Sequence, residues 1–136
     1  MSANKNPFHV TAILDDMFFA SKIREAAKSA GVDIDFVKRP DVIIEKTGSD
    51  TPSVVIIDLN CKKIDTMELM RKIRNTEILK GVYAIGYLPH VEKDLMKKAY
   101  EAGYDTVLPR SLFSTRVREM FEDFSRGMIR ESQSGQ

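Results

Sequence analysis

Four consecutive β-branched apolar residues, Val54, Val55, Ile56 and Ile57, stand between Thr51-Pro52-Ser53 and Asp58-Leu59-Asn60. Side chains alternate across a strand, so an unbroken apolar run must be covered on both faces, as in a central strand of a parallel sheet. A carboxylate, Asp58, closes the run. Ligands of open α/β sheets bind beyond the carboxyl ends of the strands, so position alone makes Asp58 a candidate site residue.

The rest of the chain supplies what such a strand needs. A first strand is predicted from residue 8 or 9 to 14, ending at the acidic pair Asp15-Asp16. Phe19, Ile23, Ala26, Ala27 and Ala30 then recur at helical spacing, and Gly31 supplies the stop of a helix over 17–30. Ile34, Phe36 and Val37 form a short second strand; Pro40 leads into a helix over 41–46, and Gly48-Ser49-Asp50 make a turn. Beyond Asp58 come a loop over 59–65, a helix over 66–75 and a fourth strand over 82–87. Val91, Leu95, Ala99 and Ala102 mark a helix closed by Gly103, followed by a fifth strand over 104–108 and a long amphipathic helix over 113–128.

Five strands alternating with five helices predict an α/β fold, a parallel sheet with helices on both faces. The strand order is not written in the pattern. In the flavodoxin-like order 2-1-3-4-5, strands one and three are neighbours, and Asp15, Asp16 and Asp58 come together. Three carboxylates at adjacent strand ends repel each other unless a cation or proton relieves them, and magnesium, bound through oxygen, suits such a site.

Composition narrows the function classes. The 136 residues suit one domain, read as a loose arm over 1–7, a domain over 8–130 and a polar tail over 131–136. The 21 Lys and Arg against 20 Asp and Glu give no global reason to expect nucleic acid or an anionic membrane. The single Cys61 excludes an internal disulfide and a cysteine-based zinc cluster. With no signal peptide and no apolar run of spanning length, a cytoplasmic protein is expected.

The ordered motifs resemble the receiver domain of two-component response regulators, the CheY-like domains, over roughly residues 8–125. Leu14-Asp15-Asp16 resembles the acidic pair after strand one, and Ile56-Ile57-Asp58 the strand bearing the phosphoacceptor aspartate. Asp65, Glu68 and Leu69 match the family's Asp-Gly-x-Glu-Leu, and Ala102-Gly103-Tyr104-Asp105 is similar to its Ala-Gly-Ala-Asp turn. The resemblance implies that Asp58 takes a phosphoryl group from a phosphohistidine, while Asp15, Asp16, Asp58 and the Asn60 backbone carbonyl hold Mg2+. It implies a histidine kinase or phosphotransfer protein upstream, an unnamed protein downstream, and self-phosphorylation and autodephosphorylation in place of turnover on a separate substrate.

The departures are equally specific. Gly86-Tyr87-Leu88-Pro89 carries no Thr or Ser where the family has one, Arg110-Ser111 replaces Lys-Pro, Val107 replaces the aromatic switch residue, and Cys61-Lys62 replaces Met-Pro. Arg110 keeps the charge of the Lys but not its geometry; it can pair with Asp58 or serve an anion. Two functions follow: a single-domain phosphorelay receiver, with no output domain after its last helix, or a degenerate receiver that binds partners whatever its phosphorylation state. The face of helix four, strand five and the last helix, with Tyr100 and Tyr104, is the expected partner surface, and the last helix the place where a second copy would pair. A flavin or nucleotide carrier on the same fold is disfavoured, because Asp15-Asp16-Met17-Phe18 offers negative charge where phosphate-cradling residues are needed.

Overall fold

The computed structural model describes residues 8–45 and 51–127. Its elements are β1 (His9–Ile13), α1 (Met17–Ala30), β2 (Asp33–Phe36), α2 (Pro40–Glu45), β3 (Val54–Asp58), α3 (Thr66–Arg74), β4 (Tyr83–Leu88), α4 (Lys93–Ala102), β5 (Thr106–Pro109) and α5 (Arg110–Ser125). The strands form one parallel sheet in the order 2-1-3-4-5. The expected arm over 1–7, Lys46, the turn at 48–50, Met128 and the tail over 131–136 lie outside the described residues.

The double-sided burial expected of the central strand is realised: Val54, Val55, Ile56 and Ile57 are each 0% exposed. Val54 and Ile56 face a layer built with Phe19 and Ile23 of α1 and Phe113, Val117 and Phe121 of α5. Val55 and Ile57 face a second layer with Ile43 of α2, Leu69, Met70 and Ile73 of α3, and Ala99 and Ala102 of α4. Each buried Val or Ile side chain contributes about 1.5–3 kcal/mol, so the strand anchors both layers at once.

The helix ends follow local chemistry. The Asp16 side chain accepts the N–H groups of Phe18 and Phe19 and caps α1, and Gly31, at φ 72°, closes it by donating to the carbonyls of Ala27 and Lys28. Asp65 caps α3 by accepting the Glu68 N–H at 3.0 Å. This is a physical reason for an aspartate at 65, whatever the site does.

Boundaries shift where backbone groups are claimed elsewhere. Val82 donates to the Leu79 carbonyl in a turn, so β4 starts at Tyr83. Val91 is 60% exposed and outside α4, which begins at Lys93. Tyr104 and Asp105 precede β5, because Tyr104 is buried and donates its hydroxyl to the Thr66 carbonyl while Asp105 serves β4. Tyr104 therefore does not belong to the exposed surface expected of it. The last helix begins at Arg110, ahead of Phe113, and ends at Ser125. Its apolar residues Phe113, Val117, Phe121 and Phe124 are buried in the layer they share with α1 and the sheet.

Arg74 organises the opposite layer. Its guanidinium donates to the carbonyls of Gly103, Lys80 and Val82 and bridges Asp105 at 2.8 Å. Asp105 in turn accepts the Ala84 N–H at 2.8 Å, so one side chain ties α3 to α4 and to strands β4 and β5. Gly103, at φ 123°, is required twice: the backbone is left-handed, and a Cβ would stand 2.9 Å from Arg74 Cγ. Arg74→Ala is expected to destabilise the fold by about 2–4 kcal/mol in urea titrations, since carbonyls and a carboxylate lose their donors together. Arg74→Lys should recover little, because an ammonium cannot fork between separated acceptors.

Candidate functional site

The strand register builds the site. Ile13 of β1 pairs with Ile57, and Asp58 pairs with Tyr87 of β4, so Leu14, Asp15 and Asp16 run past the sheet edge at the level of Asp58. Asp58 shares a sheet face with Ile56 by strand alternation, and with Tyr87 by register. From the start of α5, Arg110 reaches across to the same edge and bridges the Asp16 carboxylate.

Each carboxylate is held differently. Asp16 uses Oδ1 for the N–H groups of Phe18 and Phe19, at 3.0 and 3.2 Å, and Oδ2 for Arg110. The Phe19 N–H, with help from Arg110 and Phe18 and against some desolvation, holds the Asp16 carboxyl below its ordinary value. Asp15 Oδ2 accepts the Cys61 thiol at 3.4 Å. Cys61 is buried, which pushes its thiol up and makes it a poor nucleophile.

Asp58 accepts the Asn60 N–H on Oδ1 at 2.9 Å, and its Oδ2 carries no hydrogen bond among the described residues. Burial pushes its carboxyl above the ordinary value; Asn60 and Arg110 oppose the rise, and the charges of Asp15 and Asp16 add to it. The three aspartates therefore do converge electrostatically. Among the described residues, however, no group of three or more His, Cys, Asp or Glu side chains is arranged so that it could hold a metal.

Arg110 is fixed from two directions. Its guanidinium carbon lies 4.7 Å from the centroid of the Phe19 ring, and its other anchor is Asp16, so the cation stacks on one residue of α1 while pairing with that helix's cap. Of the two roles open to it from sequence, permanent pairing with Asp58 is not the one adopted. A positive charge at the first residue of α5 opposes the helix dipole, and the Asp16 carboxylate offsets it. Arg110, Ser111, Ser114, Lys22, Phe19 and Pro89 line a shallow depression of about 340 Å³ beside the bridge.

The remaining departures also have defined places. Val107 is buried among the second-layer residues, and Leu88 is 0% exposed in the same layer. Tyr87 is 2% exposed and packs in the first layer. The Arg74–Asp105 clamp was not anticipated; the Gly103-Tyr104-Asp105 turn is its local signal, but its partner lies 31 residues away. His9 pairs with Asp35 at 3.0 Å on β1 and β2, away from the site, and is not a metal ligand candidate here.

The chain is similar in structure to solved response regulators. A response regulator from Hahella chejuensis matches with a TM-score of 0.78 at 16% identity, over 90% of this chain and 98% of the other. The phosphorylated cyanobacterial phytochrome response regulator RcpA matches with a TM-score of 0.73 at 15% identity, over 90% and 96%. The Mn2+-bound form of response regulator Rcp1 matches with a TM-score of 0.70 at 16% identity, over 87% and 91%. This chain has the receiver fold. No family model and no curated protein matches its sequence.

The raised carboxyl of Asp58 links to stability with a definite sign. For an acid whose folded value lies above 3.8, the ionised form is penalised in the fold; the penalty is present at neutral pH and vanishes as pH falls below 3.8. Asp58→Asn should therefore raise the urea midpoint at pH 7 in chelator-treated buffer, with the gain shrinking toward zero at acid pH. A midpoint unchanged at both pH values would show that Asp58 is solvated as well in the folded chain as in the unfolded one.

Proposed function

We propose that this protein is an atypical receiver that accepts a phosphoryl group on Asp58 and relays it, or the state it creates, to another protein. The observation that carries the reading is the Asp58 carboxylate itself: it ends the central strand, Arg110 is bridged to Asp16 instead of to it, and Oδ2 has no hydrogen bond among the described residues. In the step envisaged, an Oδ2 electron pair forms the new O–P bond while the P–O or P–N bond to the donor breaks, and the leaving group departs with the electron pair of that broken bond. The donors proposed are a phosphohistidine on a kinase or phosphotransfer protein, and small acyl phosphates.

Magnesium is the proposed ion. The oxygens of Asp15 and Asp58 and the Asn60 carbonyl have the hard-donor chemistry it requires, and Asp16 could join them once Arg110 releases its Oδ2. When bound, a divalent cation offsets the repulsion among the aspartates and the charge on a transferring phosphoryl group. That the resembled Rcp1 structure is a Mn2+-bound form, and the resembled RcpA a phosphorylated one, supports the choice of chemistry. No described helix is long and apolar enough to cross a membrane, and a partner is proposed to be protein.

A second reading, a module that binds partners independently of phosphorylation, is favoured by one observation. The Asp16–Arg110 bridge already neutralises one carboxylate of the cluster from within. Intact-mass measurement after incubation with Mg2+ and acetyl phosphate separates the two: one added phosphoryl group on the wild type and none on Asp58→Asn is expected, and an unmodified wild type would favour the second reading.

The same bridge predicts competition. Arg110→Ala should bind Mn2+ several-fold more tightly than the wild type in a paramagnetic-relaxation titration, because it frees Asp16 Oδ2 and removes a positive charge. Equal affinities would mean that Asp16 takes no part in holding the ion.

A further inference from the structure

Three buried side-chain hydroxyls lack a hydrogen-bond partner among the described residues, those of Thr11, Thr51 and Tyr87. Thr11 lies within β1 and Thr51 precedes β3, at the end of the sheet away from the site. Tyr87 alone of the three stands at the edge where Asp58 is, as its partner in register. Its ring is gripped on two sides: Phe113 stacks on it with centroids 5.4 Å apart and planes at 16°, and Phe19 lies 5.0 Å away. Phe19 is also the ring over which Arg110 is stacked. The phenol is thus packed into the same cluster that positions the site's cation.

A buried hydroxyl without a partner is costly, and packed proteins rarely retain one without a reason. Here, among the described residues, a donor lacks an acceptor on the same face as a carboxylate oxygen that lacks a donor, yet the two do not bond to each other. A group carried on Asp58 Oδ2 would extend beyond the carboxylate and bring further acceptor oxygens with it. Burial, with the Asp58 charge second, pushes the phenol well above its ordinary value, so the group keeps its proton and has an O–H to donate.

We propose that the Tyr87 hydroxyl is the hydrogen-bond donor for a tetrahedral oxyanion carried on Asp58, which makes Tyr87 a positioning residue for the acyl phosphate; this rests on the phosphoacceptor reading above. Tyr87 keeps its proton throughout: the O–P bond forms and the donor bond breaks at phosphorus, and the phenol contributes only a hydrogen bond to an oxygen already present. Ser or Thr at this position would lack the aromatic body that fills the space between Phe19 and Phe113.

The test uses beryllofluoride with magnesium on the full chain, read by 19F NMR for affinity and by the ring carbon bearing the hydroxyl of 13C-labelled Tyr87. The wild type should form the adduct with a shift of that carbon, and Tyr87→Phe, which keeps the ring and removes only the hydroxyl, should bind on the order of 10-fold more weakly. Equal affinity in the two proteins, with the Tyr87 carbon unmoved in the wild type, overturns the role given to Tyr87 and leaves the acceptor role of Asp58 standing. Absence of any adduct on the wild type overturns the acceptor reading and this inference together. The labelled wild-type measurement needs no folded variant, and an amide spectrum of Tyr87→Phe matching the wild type shows that its fold is intact.

Discussion

A strand that is apolar on both faces is the constraint from which this structure follows. Val54 to Ile57 can leave water only between two layers, and neither α1 with α5 nor α2 with α3 and α4 could cover both sides. Connecting successive parallel strands through helices supplies the two layers and brings every strand's carboxyl end to one edge. The candidate site lies there because the core has nowhere else to release the chain. Asp58 is the first residue after the run that can stay hydrated, and its partial burial is the residue of that position.

At that edge the governing quantity is the number of cations available to three aspartates. Among the described residues Arg110 is bridged to Asp16, whose other oxygen is already occupied by the first turn of α1. A lysine could have turned its compact charge toward several acceptors. A guanidinium stacked on Phe19 and held by a carboxylate is more strongly directed, so charge is distributed unevenly: Asp16 is neutralised, and Asp58 is left with an oxygen that has no hydrogen bond among the described residues.

The two faces of the sheet divide the consequences. On the α1 and α5 side, Phe19, Tyr87 and Phe113 form a continuous aromatic group beneath the site, so a change at Asp58 has a packed path into α5. On the other side Val107 and Leu88 are small enough to be sealed into the core, and the Arg74–Asp105 clamp ties α3 and α4 to the strands. An aromatic group that moves between inside and outside has no counterpart at Val107.

Much of this was legible in the residues. Periodicity exposes a helix or strand because burial acts on every turn or every second residue, and capping depends on neighbours a few positions apart; hence the alternating elements, the Gly31 and Gly103 stops and the places of Asp15, Asp16 and Asp58. The motifs also carried the resemblance that the fold matches bear out. Only the tertiary structure decided which carboxylate Arg110 serves, since that pair is separated by 94 residues and several acceptors lay within the charge's reach. It also decided that Tyr104 points inward while Tyr100 remains partly exposed, that the last helix keeps its apolar stripe for its own sheet, and that the Tyr87 hydroxyl is buried without a partner among the described residues. Local sequence determines which residues prefer water and which turn the chain; the partner of a charge or a hydroxyl depends on packing between segments remote in sequence, and no local pattern records it.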